Sequence, residues 1–270
     1  MTRRRLTAVL AVAVLAVVAA TVAFWSGNKE APSLVDTAKK TKKLTIGVLP
    51  DQPGLGQRVG EKTYAGLDVD VATYIAKQLG VPAAGITFVP VTGADRAVAL
   101  ANGKAQLVIA ASPVQEEKRG GVALSDPYLT MHDDVMVLST NKKMRQSRDV
   151  VGKKLCVLPG SVIPAGLKAK AMPTKSISEC LLALLRGKVV GAFGKDAVLA
   201  GYAQQNPGRF KLLGPNGTAT SYSIYLPAKD PRVKHKVDSV LQKMVQDGTW
   251  KRMVTTRLPM LSTSQAAVHP

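Results

Sequence analysis

After residue 42, segments with the apolar pattern of a strand alternate with segments whose apolar residues have helical spacing. Short apolar runs rich in β-branched residues predict strands at 43–50, 85–91 and 105–111. Residues 67–80 instead place apolar side chains at helical spacing and end on a glycine, and residues 94–103 repeat that arrangement over a shorter length. The alternation of strands and helices predicts a parallel sheet covered by helices.

A second unit of the same kind follows. Its predicted elements are strands at 134–140, 153–158 and 188–193, helices at 176–187 and 196–206, and an exit strand at 221–228. An amphipathic stripe over 233–245 then predicts a last helix. The chain thus enters the second unit near residue 130 and leaves it near 225, which would create a hinge and a cleft.

These boundaries define the predicted domains. We predict an α/β protein of two lobes joined by two crossovers. Lobe 1 comprises residues 43–132 plus 228–258, lobe 2 comprises residues 133–227, and residues 259–270 form a flexible tail.

The first 27 residues have a different pattern. Three consecutive arginines, at 3–5, precede residues 6–25, which carry no charge and have roughly the length that spans a bilayer. We predict an N-terminal hydrophobic helix that anchors the chain in the membrane, with the bulk of the protein outside. A cleaved signal peptide is the alternative. Both predict an extracytoplasmic protein, in which residues 28–42 form a polar tether.

Composition narrows the possible partners. The net charge is +19, which favours anionic partners. Only 4% of residues are aromatic, so few side chains could stack on bases or sugars. No nucleic-acid-binding motif accompanies the basic clusters, so we expect no nucleic-acid partner. Cys156 and Cys180 are the only cysteines. Export favours a disulfide between them, and two buried thiols are the alternative.

The sequence contains no recognisable catalytic motif. The three histidines lie far apart, neither cysteine has a nearby histidine, and no G-x-S-x-G segment is present. Open parallel sheets bind ligands beyond the carboxyl ends of their strands, which here are 49–55, 111–119, 159–162 and 194–196. A cleft at these ends without catalytic groups predicts a binding protein that is not an enzyme, with no metal and no cofactor.

Several short motifs carry a resemblance to a known family. They are "GLDVDVATYIAKQLGV", "VTGADRAVALANGK", "SDPY", "VGKKLCVLPGS", "SECLLALLRGKV" and "DGTW". Together they resemble the solute-binding proteins of polar amino-acid ABC importers (family 3), in particular the actinobacterial glutamate/glutamine-binding type, over about residues 43–255. The resemblance implies a periplasmic-binding-protein fold, a monomer, an ABC permease as partner and a disulfide between Cys156 and Cys180.

The resemblance also implies a ligand site with altered residues. Lys118 stands where the family has an arginine for the ligand carboxylate, with Arg119 beside it and Gln115 in the same loop. Lys195 stands where the family has an aspartate for the ligand ammonium, and the adjacent Asp196 could instead begin a helix. The three cations could equally be solvated surface charges.

Four further residues complete the predicted site. Gly160 and Ser161 match the family and could open an anion-binding helix or form a plain turn. Asp51 and Arg58 lie in the segment that follows the first strand.

We therefore predict that the protein captures a small polar solute, an amino acid or a small anion, for import. A diverged sensor or scaffold that has lost amino-acid binding is the alternative. Because Lys195 would repel an ammonium, we expect poor binding of glutamine and other neutral amino acids.

Overall fold

The computed structural model describes residues 32–113 and 122–261. These residues form a ten-stranded mixed sheet and a separate three-stranded sheet, with helices packed around them. The predicted anchor, most of the predicted tail, and the loop residues Gln115, Lys118 and Arg119 lie outside the described residues.

The first half of the chain builds most of lobe 1. Its elements are α1 (Leu34–Thr41), β1 (Leu44–Val48), β2 (Asp51–Gln52), β3 (Gly56–Arg58), β4 (Tyr64–Ala65), α2 (Leu67–Gln78), β5 (Ile86–Pro90), α3 (Arg96–Ala101) and β6 (Leu107–Pro113). Strand β1 lies between β5 and β6 and runs parallel to both. The predicted parallel α/β arrangement is confirmed.

The second half builds lobe 2 and then returns to lobe 1. Its elements are β7 (Val122–Leu124), β8 (Leu129–Leu138), β9 (Lys154–Val157), β10 (Lys170–Pro173), α4 (Ile177–Leu185), β11 (Gly191–Lys195), α5 (Asp196–Gln204), β12 (Phe210–Leu212), β13 (Asn216–Pro227), α6 (Pro231–Gln246) and α7 (Thr249–Arg257).

Two long antiparallel strands, β8 and β13, connect the lobes. Strand β8 pairs with β11 and β12 in lobe 2, whereas β13 pairs with β6 and β7 in lobe 1. The two strands also pair with each other over 129–133 and 216–222. One sheet therefore runs through both lobes, and the return crossover lies earlier in the chain than the predicted position near 225.

Each lobe has its own apolar core. Buried side chains of β1, α2, β6 and α6 form the largest cluster, in lobe 1. Lobe 2 has one cluster that includes Cys156 and Leu184 and another that includes Leu155 and Phe193. The predicted disulfide is confirmed: Cys156 of β9 and Cys180 of α4 are bonded, with their Cα atoms 5.4 Å apart. It ties a strand to the helix that covers it.

The segment predicted as a polar tether contains helix α1. Leu34 and Ala38 are buried against the rest of lobe 1. The backbone N–H of Leu34 donates to the Asp230 carboxylate at 2.7 Å, and Arg232 pairs with Asp36. The prediction of a tether up to residue 42 was wrong because the charges of this short helix obscure its two apolar contacts.

Candidate functional site

A cleft of about 780 Å³ opens between the two lobes. Lobe 1 lines it with Asp51, Gln52, Arg96, Ala111 and Tyr222. Lobe 2 lines it with the turn at 158–161, the segment 175–178 and residues Lys195, Val198 and Tyr202. Met131 and Thr220, on the two connecting strands, form its base. A cavity of this size accommodates a small organic solute.

Among the described residues of lobe 1, Arg96 is the cation that lines the cleft. It is the first residue of α3, directly after the turn that follows β5. Only 9% of its surface is exposed, and Nη2 lies 3.5 Å from the carbonyl oxygen of Ala111. Its guanidinium also lies beside Gly93, where a Cβ would be only 3.8 Å from Nη2. The surrounding backbone therefore restricts where this side chain points.

A buried hydrogen-bond network lies behind Arg96. The Tyr128 hydroxyl donates to Asp68 Oδ1 at 2.7 Å and accepts from the backbone N–H of Ala111 at 3.2 Å. Burial raises the pKa of Asp68 to about 7, although the Tyr128 hydrogen bond and the charge of Arg96 both act to lower it. The network links the Arg96 region to the buried end of α2.

On the lobe 2 side, the backbone after β9 forms a tight turn. The N–H of Ser161 donates to the Leu158 carbonyl at 3.0 Å, and Gly160 has a φ of 79°. The next helical residues are the single 3₁₀ turn Ala165–Leu167. Ser161 therefore does not open an anion-binding helix, and the plain-turn alternative is the one that the structure has. Gly160 and Ser161 do line the cleft.

Lys195 lies at the base of the cleft and is paired. Its Nζ is 2.9 Å from Asp133 Oδ1 and donates to the Thr220 hydroxyl at 3.2 Å. Asp133 belongs to β8 and Thr220 to β13, so the ammonium contacts both connecting strands. This pairing offsets part of the positive charge that Lys195 brings to the cleft.

Asp196 and Arg58 do not line the cleft. Asp196 is 2% exposed, and its Oδ2 lies 3.4 Å from Nδ1 of His132. It is the first residue of α5, preceded by the cap residue Lys195, and its Oδ1 accepts the N–H of Ala197. Arg58 lies in the small sheet, with its guanidinium 5.9 Å from the Tyr64 ring centre. Asp51 does lie in the cleft and is exposed.

Sequence reasoning missed Arg96. The general rule that ligands bind beyond the carboxyl ends of parallel strands applies to the 85–91 strand as well as to the four strand ends named above. Arg96 begins the helix that follows that strand after a short turn, so the same rule applied to every parallel strand indicates this region.

Comparison with known proteins places the chain in a family. Residues 44–256 match the model of the bacterial extracellular solute-binding proteins, family 3. The chain belongs to that family. In this solute-binding protein, the described residues contain no group of histidine, cysteine and acidic side chains that could hold a metal ion. The same residues include no helix long and apolar enough to cross a membrane.

Individual relatives agree with this assignment. The solute-binding protein is 28% identical over 270 residues to the glutamate-binding protein GluB of Corynebacterium efficiens, covering 94% of this chain and 90% of GluB. It is 25% identical to the glutamine-binding protein GlnH of Bacillus subtilis, covering 78% and 80% of the two chains.

Solved structures support the fold. An ancestral cationic amino-acid solute-binding protein superposes with a TM-score of 0.72 at 24% identity, covering 84% of this chain and all of the other. An ancestral arginine-binding protein bound to glutamine gives a TM-score of 0.61 at 28% identity, covering 80% and 97%. The predicted periplasmic-binding-protein fold is therefore confirmed for this solute-binding protein.

Proposed function

We propose that the protein captures an acidic α-amino acid of the glutamate type between its lobes and delivers it to an ABC permease. The observation that carries this proposal is the buried guanidinium of Arg96 in the lobe 1 wall. A guanidinium binds a carboxylate through two parallel hydrogen bonds, which are stronger than bonds between neutral groups. Relatives that bind glutamate and glutamine support the amino-acid class.

The charges that line the cleft favour an acidic solute over a neutral one. Three cations line the cleft within the described part of the chain: Arg96, Lys195 and Lys175, which is an exposed residue of the lobe 2 wall. Among the described residues that line the cleft, Asp51 is the acidic one, and Asp133, which pairs with Lys195, lies next to them. We propose that Arg96 binds a carboxylate, that Asp51 attracts the ammonium and that the lysines favour the second carboxylate.

Glutamine tests the proposed preference for an acidic solute, because it differs from glutamate by one charge. Lys195 would repel the ligand ammonium less than its sequence position suggests, since Asp133 neutralises it. We still expect glutamine to bind more weakly than glutamate, because its amide gains less from the cations of the cleft.

Calorimetry on the purified full-length protein decides the proposal. We expect saturable one-site binding of L-glutamate, weaker binding of L-glutamine and little binding of L-arginine. Tightest binding of L-arginine would contradict the charge argument. Absence of binding by all three would contradict the proposed amino-acid class. Recovery of chemically unchanged solute after long incubation is expected from a binding protein and excludes turnover.

We further propose that residues 6–25 hold the protein at the outer face of the membrane as a monomer. The uncharged run behind three arginines supports this arrangement. Fractionation with a carbonate wash is expected to leave the full-length protein with the membranes. Its recovery from the culture medium, beginning near Phe24, would show a cleaved signal peptide instead.

A further inference from the structure

Helix α5 belongs to both lobes. Leu199 and Ala203 pack in the lobe 2 core, whereas Ala197 and Ala200 belong to the lobe 1 cluster. The lobe 1 partner of the helix is the turn that joins β2 to β3, at Pro53 and Gly54. This contact lies at one edge of the cleft, because Asp51 and Tyr202 line the cleft on its two sides.

At this contact the helix approaches the backbone of the other lobe very closely. A Cβ on Gly201 would lie 1.7 Å from the carbonyl oxygen of Pro53 and 2.6 Å from its carbonyl carbon. Both distances are far below any permitted contact, and the obstructing atoms are backbone atoms that cannot rotate away. Gly54 in turn lies close to the Gly201 Cα, since a Cβ there would be 3.1 Å from it. This arrangement of the two lobes therefore requires glycine at position 201.

The nearest atoms identify what a side chain at 201 would disturb. Outside the helix itself, the three nearest heavy atoms to a Cβ at this position all belong to Pro53 and Gly54 of lobe 1. None belongs to the lobe 2 core. A methyl group at 201 would thus meet lobe 1 first and oppose the approach of the lobes.

A second contact joins the same two elements. The Tyr202 hydroxyl donates to the backbone carbonyl of Asp51 at 3.0 Å. The hydrogen bond crosses the edge of the cleft one residue further along α5. A tyrosine hydroxyl is protonated at neutral pH and can donate, and burial raises the pKa of Tyr202 further.

We propose that Gly201 is a positioning residue for solute capture. Because it has no side chain, α5 can pack against the Pro53 carbonyl when the lobes close. The inference rests on the proposed function in one respect: the solute must bind this closed arrangement more tightly than an open one. Tyr202 completes the contact by its hydrogen bond to Asp51. Neither residue need touch the solute.

The variant Gly201→Ala separates this role from an ordinary structural one. Alanine is a better helix former than glycine, so the melting temperature of the solute-free protein is expected to stay level or rise. L-Glutamate affinity is expected to fall at least tenfold, because closure is obstructed. Gly166→Ala is the matched control, since a Cβ at this lobe 2 position has no heavy atom within 4 Å. Its affinity should equal that of the wild type. Tyr202→Phe should weaken binding by a smaller factor.

Spin labels on the two lobes test the contact without relying on any solute. Cysteines replacing the exposed residues Glu61 and Lys188 carry one label on each lobe, and the native disulfide is kept by labelling without reductant. In the wild type and in Gly166→Ala, we expect a population of molecules with a short distance between the two labels, and any solute that binds should increase it. In Gly201→Ala, we expect this population to be lost.

The outcomes separate this inference from the proposed function. A short-distance population that persists in Gly201→Ala overturns the inference, as does its absence from the wild type in every condition. A lower melting temperature of solute-free Gly201→Ala would also overturn it, because it would show a contact present in both open and closed forms. If the wild type closes but binds no tested amino acid, the proposed function fails and the inference about Gly201 stands.

Discussion

Lobe 1 buries Asp68 and lobe 2 buries Asp134, and the two carboxyl groups are held differently. Asp68 of lobe 1 accepts a hydrogen bond from the Tyr128 side chain and lies within the electrostatic influence of Arg96. Asp134, where β8 enters lobe 2, accepts the backbone N–H of Val135, and backbone N–H groups of Leu213 and Gly214 also lower its pKa. The Asp68 carboxyl is thus held by a side chain and the Asp134 carboxyl by backbone. The cleft walls differ in a similar way: lobe 1 presents the Arg96 guanidinium, with the Tyr128–Asp68 network behind it, and lobe 2 presents the backbone turn at 158–161.

This difference assigns separate tasks to the two walls. Substitution of a side chain in the lobe 1 network should change solute recognition directly. In lobe 2 the turn at 158–161 presents backbone and follows a strand that a disulfide ties to its covering helix, so single side-chain changes in that turn should affect stability more than recognition. The predictions below test this division.

The pH dependence of stability should show the largest effect. Burial raises the pKa of Asp68 and of Asp134 to about 7 in the folded protein, above the usual value near 4. The folded state therefore binds protons more tightly than the unfolded state, and this contribution to stability is lost as pH rises through 7. Each group contributes at most about 4 kcal/mol, at 1.4 kcal/mol per pKa unit.

Urea unfolding at pH 5 and pH 8 measures this effect. We expect a lower free energy of unfolding at pH 8, and a smaller difference in both Asp68→Asn and Asp134→Asn. If only Asp134→Asn reduced the difference, the buried acid of lobe 1 would be ionised when folded, and the comparison of the two lobes would need revision.

The disulfide comes next in size. Cys156 and Cys180 are 24 residues apart, and a cross-link of this separation stabilises the native state by about 3 kcal/mol in the chain-entropy model. We expect Cys156→Ser and Cys180→Ser to lower the free energy of unfolding by similar amounts. Thiol titration of the denatured, non-reduced wild type should detect no free thiol, and two thiols per chain would contradict the prediction.

Arg96 should have the largest effect on recognition. We expect Arg96→Met to weaken L-glutamate binding about 30- to 100-fold, because a hydrogen bond to a charged group is worth about 2–3 kcal/mol. Arg209→Met, at an exposed position of lobe 2, is the matched control and should bind normally. Circular dichroism would verify that Arg96→Met is folded. Wild-type affinity in that variant would remove Arg96 from the site.

Lys195 should have the smallest effect. Its ammonium is already paired with Asp133 and is partly exposed, and such pairs contribute at most about 1 kcal/mol. We expect Lys195→Met to change L-glutamate affinity about fivefold at most. A loss as large as that expected for Arg96→Met would show that Lys195 leaves Asp133 to bind the solute.

The order and type of the long elements could be predicted from sequence because their apolar periods are clear. The helix over 177–185 is an example: Ser176 accepts the Glu179 N–H at its start, as its spacing predicts. The short strands β2, β7 and β12 have too few residues for a period, and β7 and β12 pair only with strands that are distant in sequence.

The candidate site was less predictable than the fold. The importance of Arg96 depends on its burial beside the Ala111 carbonyl, which is 15 residues away in the sequence and comes close to it only after folding. Likewise, Lys195 has the sequence position of a ligand residue, but its partner Asp133 lies 62 residues earlier and is brought to it by the pairing of β11 with β8. Spacing along the chain contains no signal for such contacts.

The connecting strand β13 also determines how the molecule can deform. Its register shifts once between Asn216 and Thr220 and again between Ser223 and Tyr225, on either side of the segment where it leaves lobe 2. Irregularities of this kind bend a strand and increase its local twist. Bending can therefore concentrate in a few backbone torsions, while the ladders on both sides keep their partners.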